Sequence, residues 1–129
     1  SKEMLKSTLI IICTFLSSAT VFGQLAELSF DRKVHKFDTV TEGTPLSHTF
    51  TFTNTGDAPL IITKYQVECS CTKVTFPKAP ISPGGTGEIT VDFDTTEKSG
   101  WQYRKIRLYA NVKKGIDEVE IRVKINEKE

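Results

Sequence analysis

From Leu46 to Asn54 the chain alternates without a break: Leu46, His48, Phe50 and Phe52 share one side, and Ser47, Thr49, Thr51 and Thr53 share the other. A period of two belongs to a strand with one face on a core and one in water. Asn54-Thr55-Gly56-Asp57-Ala58-Pro59 then gathers residues that tolerate positive φ or preset a turn, and the apolar run Leu60-Ile61-Ile62 resumes. The same alternation returns in Ile89, Val91 and Phe93 against Thr90, Asp92 and Asp94, and in Val119, Ile121, Val123 and Ile125 against Glu118, Glu120, Arg122 and Lys124. Between those two segments, Ile106, Leu108 and Ala110 form the apolar side of a further strand. With a strand from about Cys71 to Phe76 and one or two within Leu28 to Val40, the count is about seven short strands. No segment beyond residue 23 carries helical periodicity.

Pro77, Pro80 and Pro83, with Gly84, Gly85 and Gly87, mark a loop, because proline cannot donate to a central ladder. The expectation is a crossing between sheets. Short alternating strands separated by regular turn signals predict an all-β protein, an immunoglobulin-like β-sandwich. Its predicted core is Phe50, Phe52, Ile89, Val91, Phe93, Ile106, Leu108, Ile121 and Val123.

The first 23 residues follow a different pattern. Lys2 and Lys6 precede an apolar block from Leu9 to Leu16, then Ser17-Ser18 and Ala19-Thr20-Val21-Phe22-Gly23. This is the layout of a secretory signal peptide, with cleavage expected before Gln24 and Met4 as the natural start. The apolar block is well short of the roughly 20 residues that a spanning helix needs, and Ile12 stands before Cys13 where a lipidation site normally has a small residue. The expected organisation is a signal peptide over 1–23 and one sandwich domain over 24–129. The expected place is the periplasm or cell surface of a Gram-negative bacterium, with no integral membrane span in the mature chain.

Charge narrows the function classes. The chain of 129 residues has 17 Lys and Arg against 16 Asp and Glu, and losing Lys2, Lys6 and Glu3 leaves fifteen of each sign. A neutral chain with no long basic block lacks the electrostatic footprint of a nucleic-acid binder.

Several motifs together resemble a secreted bacterial family known as domain of unknown function 1573. They are Phe37-Asp38-Thr39-Val40 followed by Glu42-Gly43, the run from Phe50 to Ile62, Cys69-Ser70-Cys71-Thr72, Pro80-Ile81-Ser82-Pro83-Gly84, and Ile89-Thr90-Val91-Asp92-Phe93-Asp94. The resemblance covers nearly all of the chain after residue 23. That family is similar to Hydin-type and major-sperm-protein-like domains, immunoglobulin-like sandwiches used mainly for protein contacts, so the resemblance implies that fold and an export route but not an activity. Asp38 stands where the family often has glycine, and Ser70 where glycine commonly separates the cysteines.

Loss of Cys13 with the signal would leave Cys69 and Cys71 as a pair in an oxidising compartment. In an extended strand they would share a face with Cα atoms about 6.6 Å apart, near the limit for a disulfide. Three readings stay open: packed thiols or a local structural bridge, a labile exchangeable disulfide, and half of a soft-metal site for Cu(I) or Zn. The only histidines are His35 and His48, and His48 reads as a core or rim residue beside Phe50 and Phe52.

Catalysis has little support. No nucleophile elbow, paired-carboxylate signature or phosphate-cradling loop appears, and Gly84-Gly85-Thr86-Gly87 reads as a turn. No motif calls for a cofactor.

Opposite Ile106 and Leu108, however, Trp101, Tyr103, Lys105, Arg107 and Tyr109 fall at alternate positions, three aromatics interleaved with two cations. Such a stripe suits contact with another envelope protein or a surface glycan. The competing reading is ordinary cross-strand pairing on a solvated sheet face. The leading expectation is therefore a non-catalytic exported domain of the envelope acting through surface contacts. The alternative is a soft-metal or thiol-redox accessory protein using Cys69 and Cys71, and a concealed hydrolytic enzyme stands third.

Overall fold

The computed structural model describes residues 25–129, so the segment read as a signal peptide and its cleavage site lie outside the described residues. Within them the chain forms nine strands and no helix: β1 (Leu28–Phe30), β2 (Val34–Lys36), β3 (Val40–Thr41), β4 (Pro45–Asn54), β5 (Ile62–Val67), β6 (Thr72–Thr75), β7 (Thr86–Asp94), β8 (Gly100–Ala110) and β9 (Ile116–Asn126). The first sheet has the order β1-β4-β7-β6, and the second β2-β9-β8-β5 with β3 also on β9. This is the expected immunoglobulin-like sandwich. Its two extra strands are pieces two and three residues long, which is too short for periodicity to show.

The four long strands follow the alternation read from the sequence. All nine predicted core residues are buried, and Leu60, Val74, Phe76, Val119 and Ile125 join them. In the first sheet β4 and β7 pair antiparallel from Pro45 opposite Asp94 to Thr53 opposite Thr86. In the second, β8 and β9 pair from Gly100 opposite Ile125 to Tyr109 opposite Ile116. Because side chains alternate across a sheet, these registers set every inward residue against the other sheet's inward face.

The proline-rich segment does not cross between the sheets. It joins β6 to β7, which are antiparallel neighbours in the first sheet. Part of it turns back on the β4–β5 connection, where Ile81 and Leu60 exchange two backbone hydrogen bonds of 2.8 and 2.9 Å. Gly87, where the turn residues and the alternation over residues 87–94 meet in the sequence, lies inside β7 and faces Phe52.

The β4–β5 turn is held against the start of the described chain. Thr55 N donates to Glu27 O and Asp57 N to Leu25 O, at 3.1 and 2.8 Å. A Cβ placed on Gly56 would stand 2.1 Å from Leu25 O and 2.6 Å from Glu27 N, so only glycine allows the two backbones to approach this closely.

Candidate functional site

The second sheet turns Trp101, Tyr103, Lys105, Arg107 and Tyr109 to its outer face, as the alternation on β8 requires. The two ends of this stripe differ. Towards Tyr109 the side chains are engaged by neighbouring strands: Arg107 Nε donates to Glu118 Oε1 at 3.0 Å, and Tyr109 Oη donates to Gln66 Oε1 at 2.8 Å. Lys64 Nζ stands 4.5 Å from the Tyr109 ring centroid. Here the cross-strand reading describes the geometry.

At the other end Trp101 and Tyr103 are 46% and 55% exposed, with ring centroids 6.2 Å apart and planes 21° from parallel. Lys36 Nζ from β2 lies 5.1 Å from the Trp101 centroid, and the Arg122 guanidinium from β9 lies 5.8 Å from that of Tyr103. Arg122 also bonds Glu120 at 2.7 Å, which occupies the carboxylate opposite Lys105. Beside Lys105 and Arg107, Gln66, Val67 and Glu68 complete a shallow depression of about 60 Å³.

Cys69 and Cys71 lie in neither strand. They form the corner where the chain leaves β5 in the second sheet and enters β6 in the first. The turn brings their Cα atoms to 5.1 Å, closer than an extended strand allows, and the two sulfurs are bonded to each other. The corner is tied down by Cys71 O, which accepts from Asp94 N of β7 at 2.9 Å, and by Cys69 O, which accepts from Thr72 N at 3.1 Å. Cys71 also borders an open depression of about 480 Å³ with Leu46, Lys73, Phe93 and Asp94.

In the bridged state neither sulfur is a thiolate, so neither can ligate a soft metal or attack a disulfide without prior reduction. Among the described residues no group of three or more His, Cys, Asp or Glu side chains is placed to hold a metal.

Sequence reasoning missed Arg104. It lies on the inward side of β8 by the same period of two that buries Ile106 and Leu108, and that count was the available signal. Its Nη1 donates to Tyr103 O and its Nη2 to Gln102 Oε1, at 2.8 and 2.7 Å. The guanidinium stands 5.3 Å from the Phe93 ring centroid, while its buried Nε has no partner among the described residues.

His48 is a rim residue, and its partner is His35. The rings stack across the gap between β2 and β4 with centroids 3.5 Å apart and planes within 7°. Phe37 meets His35 edge-on at 4.6 Å, and Phe50 meets His48 at 4.7 Å. Burial, and then the nearby Arg32, hold His35 below its ordinary 6.5, with Asp38 opposing. Burial, and then His35 itself, hold His48 below the same value.

A base with a depressed folded pKa takes up its proton more readily in the unfolded chain, so stability should begin to fall as pH drops below 6.5 and continue to fall through the depressed values. The lowered carboxyl of Asp94, set by its hydrogen bonds from Thr96, acts only below its ordinary 3.8. The melting temperature should therefore drop as pH falls from about 6.5 towards about 5, and His48→Gln should flatten that drop. An unchanged slope in His48→Gln would remove the histidine pair as its cause.

Residues 28–125 match the family described as protein of unknown function (DUF1573). No curated protein matches the sequence significantly. Among solved structures the chain is similar to a protein of unknown function from Porphyromonas gingivalis W83, with a TM-score of 0.67 and 12% identity over 82% of this chain and 50% of that one. It is similar to PapD-like domain 7 of human CEP192, with a TM-score of 0.63 and 10% identity over 87% of this chain and 94% of that domain. It is also similar to part of the VesB protease of Vibrio cholerae, with a TM-score of 0.59 and 18% identity over 77% of this chain and 31% of that one. At such identities the likeness is one of fold, and this chain spans only half of the Porphyromonas protein. The family match covers most of the chain, from the start of β1 to Ile125 near the end of β9, and on that ground the chain belongs to the DUF1573 family.

Proposed function

We propose that this chain is an exported, non-catalytic domain of the Gram-negative envelope, in the periplasm or at the cell surface, that works by surface contact through the outer face of the second sheet. The observation that carries the reading is the pair Trp101 and Tyr103. Both remain about half exposed, while Phe50, Phe52 and Phe93 of the long strands are buried and Tyr109 is half-buried and bonded to Gln66. Leaving two stacked aromatic rings in water forgoes apolar burial that a partner recovers, and such rings flanked by cations are typical of the residues that dominate binding surfaces.

A photo-crosslinking residue at position 103, introduced into the protein in its own envelope, tests this. The expected result is one defined crosslinked component, lost when Trp101→Ala is added. The melting temperature should hardly move, because an exposed side chain of this kind changes stability by about 0.5 kcal/mol or less. Diffuse crosslinking that Trp101→Ala leaves unchanged would sink the proposal.

A further inference from the structure

The near neutrality of the chain conceals two opposite faces. On the outer face of the second sheet, Lys36, Lys64, Lys105, Arg107, Arg122 and Lys124 stand against three carboxylates, Glu68, Glu118 and Glu120, a net charge of +3. On the outer face of the first sheet, Glu88, Asp92 and Asp94 stand against Lys73, a net charge of −2 among serine and threonine hydroxyls, with no aromatic. Two of these carboxylates are already used, Glu118 by Arg107 and Glu120 by Arg122, and Glu68 borders the recess beside Lys105 and Arg107. Lys36, Lys105 and Lys124 form no ion pair among the described residues. The face that bears the exposed aromatics is therefore also the face with uncompensated positive charge.

We infer that this face takes an acidic polysaccharide, a uronate-bearing glycan laid along β8; the inference rests on the contact-face reading above and names its partner. Three observations favour a glycan over an acidic protein. Trp101 and Tyr103 are exposed, near-parallel rings on an open sheet, each approached by one cation, and exposed rings of this kind suit the flat C–H side of a sugar, whereas protein anchors fill pockets. A recess of about 60 Å³ beside Lys105 and Arg107, bordered also by Glu68, is roughly two water volumes and too small for an apolar side-chain anchor. Finally, the stripe is linear. From Trp101 to Tyr109 it runs roughly 26 Å at about 3.3 Å per residue, a track for an extended polymer. Lys124, opposite Trp101, and Lys105, two positions beyond Tyr103, place cations on both sides of the rings. Sugar rings stacked on the aromatics would present their carboxylates to these cations, in charge-assisted hydrogen bonds that neutral glycans lack.

The test is calorimetric titration of the full protein with polygalacturonate, with dextran as neutral polymer and poly-L-glutamate as anionic polypeptide, at about 0.15 M salt. Polygalacturonate should bind, and both controls should bind at least about tenfold more weakly. Trp101→Ala and the pair Lys105→Glu with Lys124→Glu should each weaken polygalacturonate about tenfold or more, with the melting temperature retained. Poly-L-glutamate binding as tightly and indifferent to Trp101→Ala would overturn the glycan in favour of an acidic protein surface. Equal binding of dextran would overturn the role of charge. Failure of polygalacturonate to bind, while the crosslink at position 103 still depends on Trp101, would reject the acidic glycan and leave the contact face standing. Failure of both would reject the face.

Discussion

Phe52→Ala should destabilise the domain by about 3–5 kcal/mol, the usual cost of removing a fully buried phenylalanine from a core that cannot close around the gap. Phe52 is 0% exposed, sits on β4, an inner strand of its sheet, and meets the Phe30 ring edge-on at 5.8 Å. Across the register its ring occupies the space that a side chain on β7 would take. A Cβ built on Gly87 would lie 2.4 Å from Phe52 Cζ. The glycine and the ring are therefore one packing unit. Gly87→Ala alone should cost about 1–3 kcal/mol through overpacking, but little in the Phe52→Ala background, where the obstructing ring is gone. Denaturant unfolding of the two single variants and the double variant measures this coupling. A Phe52→Ala protein that melts like the parent, or strict additivity of the pair, would show that the ring does not fill this space.

Asn54→Ala should have the next largest effect, about 3 kcal/mol or more, since it removes four hydrogen bonds from a fully buried side chain. Its Nδ2 donates to Ala58 O and Ile81 O at 2.8 and 2.9 Å, and its Oδ1 accepts from Glu27 N and Gly56 N at 3.2 and 3.0 Å. At 0% exposure, water cannot readily replace these partners. The one side chain joins the start of the described chain, the β4–β5 turn and the proline-rich loop. Asn54→Asp is the informative comparison, because it keeps the shape and both accepted bonds while turning a charged oxygen towards two carbonyls. It should be no more stable than Asn54→Ala. Thermal melts of both variants decide the point, and parent-like stability in Asn54→Asp would mean that the two donated bonds contribute nothing.

What was legible in the sequence and what was not divide along a physical line. The alternation along β4, β7, β8 and β9 depends only on the geometry of one extended strand, so the inward residues, the sandwich class and the aromatic stripe could be read without knowing any neighbour. The family was legible for a related reason, since its motifs are contiguous stretches of chain. Arg104 obeyed the same rule and was overlooked because a cation is not expected between sheets.

Other features depend on which segments meet. The bridge between Cys69 and Cys71 required a turn that exists only because β5 and β6 belong to different sheets. The proline-rich loop stays on one sheet because β6 pairs with β7, a long-range pairing that no local pattern encodes. Asn54 read as a turn residue, and became a buried clamp only when the backbones of Glu27 and Ile81 arrived beside it. His35 and His48 stack although they sit on different sheets.

The candidate face divides in the same way. Sequence alone determined that Trp101, Tyr103, Lys105, Arg107 and Tyr109 point together, because side-chain direction repeats every two residues. The tertiary structure decided that Lys36, Lys64, Arg122 and Lys124 stand beside them and that Glu118 and Glu120 are already neutralised. Charge on a sheet face is the sum over neighbouring strands, and strand order is set by packing between segments far apart in the chain.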